Sequence, residues 1–187
     1  MLSLLKKAFK PTDLGPNAQK FLRYWHKVGG NAAGFDVASL QYQSIKALHP
    51  YMFSIVPDGS GGLHMRDVGE ALQKRDELRL PDDFLQVFVR AEQQQVAARY
   101  DVCEDYTCGV AGTIARRPTG GRPVIFRSFL SLPILNDDRT LAYFINIDDD
   151  PKQRSLKYAG IELPYLSSGL TAVLEYEFLD IGHGAPE

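Results

Sequence analysis

Cysteine is almost missing from this chain of 187 residues. Two of them, Cys103 and Cys108, cannot build the disulfide framework of a small secreted domain. Their Cys-x4-Cys spacing comes without partner ligands, so free thiols are the expected reading and a redox pair the alternative. Long apolar runs are also missing, and with no stretch of 18 apolar residues no membrane-spanning helix is expected. Neither charge dominates: 21 Lys and Arg stand against 23 Asp and Glu, a net charge of −2, so no general attraction to nucleic acid is expected. The four histidines (His26, His49, His64, His183) lack zinc-ligand spacing, and HExxH, GxSxG, P-loop and GxGxxG patterns are absent. Gly59–Gly62 and Gly109–Gly112 lack the strand-to-helix setting that a phosphate cradle needs. No catalytic residue, no metal and no cofactor are therefore expected, and the chain reads as a non-enzyme.

What is present is ordinary globular material, 44% hydrophobic and 24% charged, enough for one sizeable core. Leu2, Leu5 and Phe9 fall at helical spacing among Lys6, Lys7 and Lys10. The lysines follow the apolar residues instead of preceding them, which is not the order of a secretory signal. Residues 1–16 read as an amphipathic segment and linker. A helix is predicted from about Asn17, as N-cap, to Val28, with Phe21, Leu22, Trp25 and Val28 as its apolar stripe and Gly29 and Gly30 as its stop. Helical character returns over Ala38–Leu48. Two strand-like runs, Tyr51–Val56 and Leu63–Val68, flank a glycine-rich turn and predict a hairpin.

Pro81, Asp82 and Asp83 signal a helix running to about Tyr100, with Phe84, Val87, Phe88, Ala91, Gln95 and Ala98 as its stripe. Cys108–Arg116, Val124–Leu132 and Leu141–Ile147 then read as strands, the middle one apolar enough to be central. In the tail, Leu170, Val173, Leu174, Phe178 and Ile181 predict a helix from Ser168 to Gly182. Leu174, Tyr176 and Phe178 fit a strand over a shorter span. An isolated hairpin is marginal, so the first two strands are expected to join the later three. The result is an α+β fold, a five-stranded antiparallel sheet with helices on one face and N-terminal flanking helices. Residues 17–148 form the expected domain and 149–187 a C-terminal extension.

Local sequence adds a resemblance. A helix carrying Tyr24 and Trp25 (residues 21–26, FLRYWH) precedes Leu48–Phe53 (LHPYMF), a proline followed by an apolar run. Arg66 is followed three positions later by Gly69, and Phe129–Pro133 (FLSLP) leads to the polar turn Asn136–Asp138. In this order the motifs resemble those of short bacterial proteins that consist of essentially one PAS domain with flanking segments. The similarity spans roughly residues 18–148. It implies a PAS-like sensor or regulatory module in bacterial signal transduction, acting through protein–protein interaction in the cytoplasm. The segment that walls the ligand pocket in PAS proteins is here short and charged (Gln73–Glu77), so no carried cofactor is expected.

The candidate ligand-pocket residues are His64, Arg66, Arg127 and Tyr143. His64 could ligate haem in such a pocket, although a solvent-facing histidine is the commoner case. Either arginine could meet an anionic ligand or partner. The run Asp148–Asp150 reads as a solvated strand end, because adjacent acids alone cannot surround a cation. Leu2, Leu5, Phe9, Phe21 and Trp25 are candidate interface residues for a homodimer, with a helix folded back on its own sheet as the alternative. An unidentified protein partner is expected, with a small-molecule ligand or a minor enzymatic role as the alternative. At most weak association with membranes is expected from the short N-terminal segment.

Overall fold

Pro16 opens helix α1 (Pro16–Gly29), a first helical position where its missing N–H costs nothing. The computed structural model describes residues 13–29, 42–76, 81–150, 161–182 and 184–186. Gly15, just before α1, has no side chain to cap the helix. The cap comes from 132 residues away: the Asn17 N–H donates to Asp149 Oδ2 at 2.6 Å. The Ala18 N–H donates to the same oxygen at 3.4 Å. Asn17 is therefore the second residue of the helix and not its N-cap, as the sequence suggested. A Cβ on Gly15 would lie 2.5 Å from that carboxylate oxygen, so glycine leaves the room the remote cap requires.

After α2 (Tyr42–Ile45) and a 3₁₀ segment (Lys46–Tyr51), the hairpin forms as expected from β1 (Met52–Pro57) and β2 (Leu63–Arg66). Helix α3 (Glu70–Asp76) follows. The single long helix expected from Pro81 to Tyr100 is instead two pieces, a 3₁₀ segment (Phe84–Val87) and α4 (Arg90–Asp105). Asp83 does start a helix, since its Oδ1 accepts from the Leu85 N–H at 2.9 Å. But Val89 turns aside to donate its N–H to the Thr171 carbonyl at 3.0 Å, which ends the first piece. Restarting at Arg90 resets the helical phase. The buried face of α4 is thus Val96, Tyr100 and Cys103, while Ala91, Gln95 and Ala98 face solvent.

Three further strands, β3 (Gly109–Arg116), β4 (Ile125–Leu135) and β5 (Leu141–Asp149), fall close to their expected positions. The tail departs from the expected helix: Thr171–Leu179 is a strand, β6. It pairs antiparallel with β3 from Gly109↔Leu179 to Arg116↔Thr171, with a bulge at Thr113/Ile114. The helical pattern covered more residues, but the free edge of β3 offers a row of backbone partners that no local propensity can match. The sheet therefore has six strands, all antiparallel, in the order β2-β1-β5-β4-β3-β6. β4 is interior, as its apolar run required.

Both faces of the sheet are covered, and not the one face expected from the sequence, because strands such as β1 and β5 carry apolar side chains on both sides. On one, Ile55, Val110 and Phe144 pack with Phe84, Phe88, Val96 and Tyr100. On the other, Leu130, Leu132, Ile134, Ile145 and Ile147 pack with Phe21 and Trp25 of α1 and with Leu48. The fold is α+β, with α4 and α1 on opposite sides of one antiparallel sheet.

Candidate functional site

Two stretches singled out in the sequence, Leu48–Phe53 and Arg66–Gly69, meet in space. The Gly69 N–H donates to the Met52 carbonyl at 2.7 Å. A side chain on Gly69 would place Cβ 2.2 Å from the His49 carbonyl oxygen and 2.4 Å from that of Pro50. Only glycine lets the chain leaving β2 lie so close to the His49–Pro50 backbone. Asp67 adopts a left-handed conformation (φ 51°). Its Oδ2 accepts a hydrogen bond from the Ser54 hydroxyl at 2.9 Å.

These contacts frame a cleft of about 170 Å³ on the α1 side of the sheet, with Ile45, His49, Ser54, Arg66, Asp67 and Tyr143 among its walls. Arg66 is half exposed, with its Nη1 donating to the Met65 carbonyl at 3.0 Å and lying 3.8 Å from Asp82 Oδ1. Burial, with help from Lys46, lowers the His49 pKa from its ordinary value, so the imidazole is neutral at pH 7. The cleft thus offers a guanidinium, a carboxylate, a phenol and a neutral imidazole beside an apolar floor. That set can hold a polar group of mixed character. Among the described residues, no group of three or more His, Cys, Asp or Glu side chains could hold a metal ion.

The four pocket candidates do not form one constellation. Arg66 and Tyr143 share the cleft. His64 lies at the hairpin end of β2, its Nε2 3.2 Å from Asp58 Oδ2. Asp58 is the organiser of that turn, accepting the N–H groups of Ser60 and Gly62 at 2.8 and 2.9 Å. Those bonds hold its carboxyl far below the usual carboxylate range. Arg127 is on the opposite face, buried and ion-paired with Asp150.

The acidic run at the end of β5 is not a solvated strand end. Asp148 and Asp149 are buried. Asp148 lies 3.5 Å from Arg116, Asp149 caps α1, and Asp150 meets Arg127. Each acid is consumed by a different element, which explains why three stand together. His49, Ser54 and Asp67 belong to the cleft but were not singled out as candidates. Their only signal was their place beside the Pro50 and Gly69 motifs.

Of the interface candidates, Leu2, Leu5 and Phe9 lie outside the described residues. Phe21 and Trp25 are fully buried within their own chain, against β4 and β5. The fold-back alternative holds for α1, and these two residues are core. On the α4 side, rings fill the space: Phe84 lies 5.1 Å from Phe88 and 5.8 Å from Tyr100, and Tyr100 lies 4.9 Å from Phe144. The Tyr100 hydroxyl donates to Asn146 Oδ1 at 2.9 Å, and burial raises its pKa.

No family model matches the chain. No curated protein matches it either. Among solved structures, the PAS domain of a protein from Colwellia psychrerythraea matches with a TM-score of 0.43 and 12% identity, over 58% of this chain and 93% of that one.

Proposed function

We propose that this chain is a regulatory module of the PAS type, without a reaction of its own, that works by contact with a protein partner in bacterial signalling. One observation carries the proposal: the motif residues around Pro50 and Gly69 converge on a cleft whose walls include Arg66 and Tyr143. Tyrosine and arginine are the side chains that anchor protein interfaces most often. The size of the cleft favours a partner's side chain over a free ligand. At about 170 Å³ it falls below the ~300–1,000 Å³ usual for small-molecule sites. The small-molecule reading stays second for that reason. In this proposal the protein is cytoplasmic, and self-association runs through Leu2, Leu5 and Phe9 and not through α1.

Native mass spectrometry of the protein, isolated gently from the cells that make it, tests the proposal. The expected result is the chain bound to another polypeptide, with no stoichiometric small molecule released on denaturation. A stoichiometric small molecule, or the free chain alone, contradicts it.

A further inference from the structure

The end of α4 brings the chain's two cysteines together through the geometry of a helix terminus. The Cys108 N–H donates to the Cys103 carbonyl at 3.1 Å, and the Thr107 N–H donates to the Glu104 carbonyl at 3.2 Å. Between them Thr107 has a left-handed φ of 48°. This pair of nested bonds closing over a left-handed residue is the Schellman arrangement, in which the third residue from the helix end and the second residue beyond it place their side chains in contact. Here those two positions are both cysteine. Glycine is the usual left-handed residue at such a cap, and a β-branched threonine there is held against its own preference.

We propose that Cys103 and Cys108 are a redox-responsive dithiol that closes to an intrachain disulfide on reaction with a peroxide. Ordinary bond lengths, with the Cys108 nitrogen 3.1 Å from the Cys103 oxygen, limit the Cα separation to about 7 Å, the outer bound for a disulfide. The two thiols are free, buried and in direct contact, with the Cys103 thiol donating to the Cys108 sulfur. That bond lowers the pKa of Cys108 and raises that of Cys103, while burial and Asp180 oppose ionisation of Cys108. Cys108 is therefore the attacking sulfur.

Its thiolate takes one peroxide oxygen, breaking the O–O bond. The departing hydroxide takes up a proton as water and leaves Cys108 as a sulfenic acid. The Cys103 sulfur then displaces the hydroxyl group, which leaves as a second water with the Cys103 proton. Each sulfur is oxidised by one electron, and one peroxide is reduced to two waters. Both thiols are buried, and the solvent-exposed residues beside them in the chain are Glu104, Asp105 and Tyr106 in the last turn of α4. The new bond would tie α4 covalently to the residue that leads into β3.

The test is peroxide treatment of the folded full-length protein, followed by alkylation in denaturant and mass analysis. Trypsin cutting after Arg99 and Arg116 leaves both cysteines in one peptide, Tyr100–Arg116. The expected result is loss of two hydrogens from that peptide, reversed by dithiothreitol, with the chain still monomeric on a non-reducing gel. In Cys103→Ser the same dose should leave a sulfenic acid at Cys108 that dimedone traps, whereas Cys108→Ser should label several-fold less. The proposal is overturned if the wild-type peptide keeps both thiols at a dose that fully oxidises dithiothreitol. It is equally overturned if the disulfides that form join separate chains.

Discussion

Replacing Asp149 by alanine should loosen helix α1 from the sheet without touching any residue of the helix. In the structure the buried carboxylate accepts the Asn17 N–H at 2.6 Å, the Asn17 side-chain amide at 3.2 Å and the Ala18 N–H at 3.4 Å. Loss of an N-cap costs ~1 kcal/mol, and a hydrogen bond to a charged acceptor contributes about 1.5–3 kcal/mol. The 3.4 Å contact adds little, so the sum is roughly 2–4 kcal/mol. Asp149→Asn keeps one carbonyl acceptor but loses the charge facing the helix terminus, so about half that cost is expected.

The chain has one tryptophan, Trp25, buried in α1. Its fluorescence during urea unfolding therefore reports the helix directly. With a urea dependence of about 2–3 kcal/mol per molar, the alanine variant should unfold at a midpoint lower by about 1 M. A midpoint unchanged in both variants, or an asparagine variant as damaged as the alanine one, would refute the remote cap.

Glu92 gives a prediction of opposite sign. Burial raises its pKa even though it accepts the Val173 N–H at 2.7 Å. Its contribution to stability is present below the ordinary carboxylate range and is lost as pH rises through the raised value. Glu92→Gln keeps an acceptor for Val173, so it should stabilise the chain at pH 7 and flatten the pH dependence just above the ordinary carboxylate range. Thermal melts at stepped pH check this, and a lower melting temperature at pH 7 would contradict it. Ending the chain at Leu170 removes β6 and bares the edge of β3, so the truncated protein should lose its cooperative melt, and a transition like that of the full chain would count against β6 as part of the core. Removing residues 1–10 should abolish what weak, salt-sensitive binding to anionic vesicles the full chain shows at low salt, leaving the melt unchanged. Strong pelleting of the full chain at physiological salt would contradict the weak-association expectation.

The strands were legible because their alternation and turn residues are local. All of Val124–Leu132 but its first residue falls within β4, and Leu141–Ile147 falls within β5. What escaped depends on partners remote in sequence. β6 exists because β3 has an edge to fill, and the break before α4 exists because Val89 binds Thr171. Asn17 carried the stronger local capping signal, but Asp149 captured the helix from across the chain. The same holds for the acidic run, which looked solvated because none of its three partners is a sequence neighbour. In the cleft, Arg66 and Tyr143 were named from their strands, while His49, Ser54 and Asp67 are identified only by the close approach of Gly69 to the His49–Pro50 backbone.

The proposed contact surface is tested most directly by site-specific photocrosslinking in the cells that make the protein. A benzophenone amino acid in place of Tyr143 keeps an aromatic side chain at the cleft, and the same group in place of exposed Tyr165 serves as the control. The account predicts a discrete adduct with another polypeptide from position 143, none of that mass from position 165, and loss of the adduct when Arg66→Glu is added. Equal labelling from both positions, or an adduct indifferent to Arg66→Glu, would contradict it.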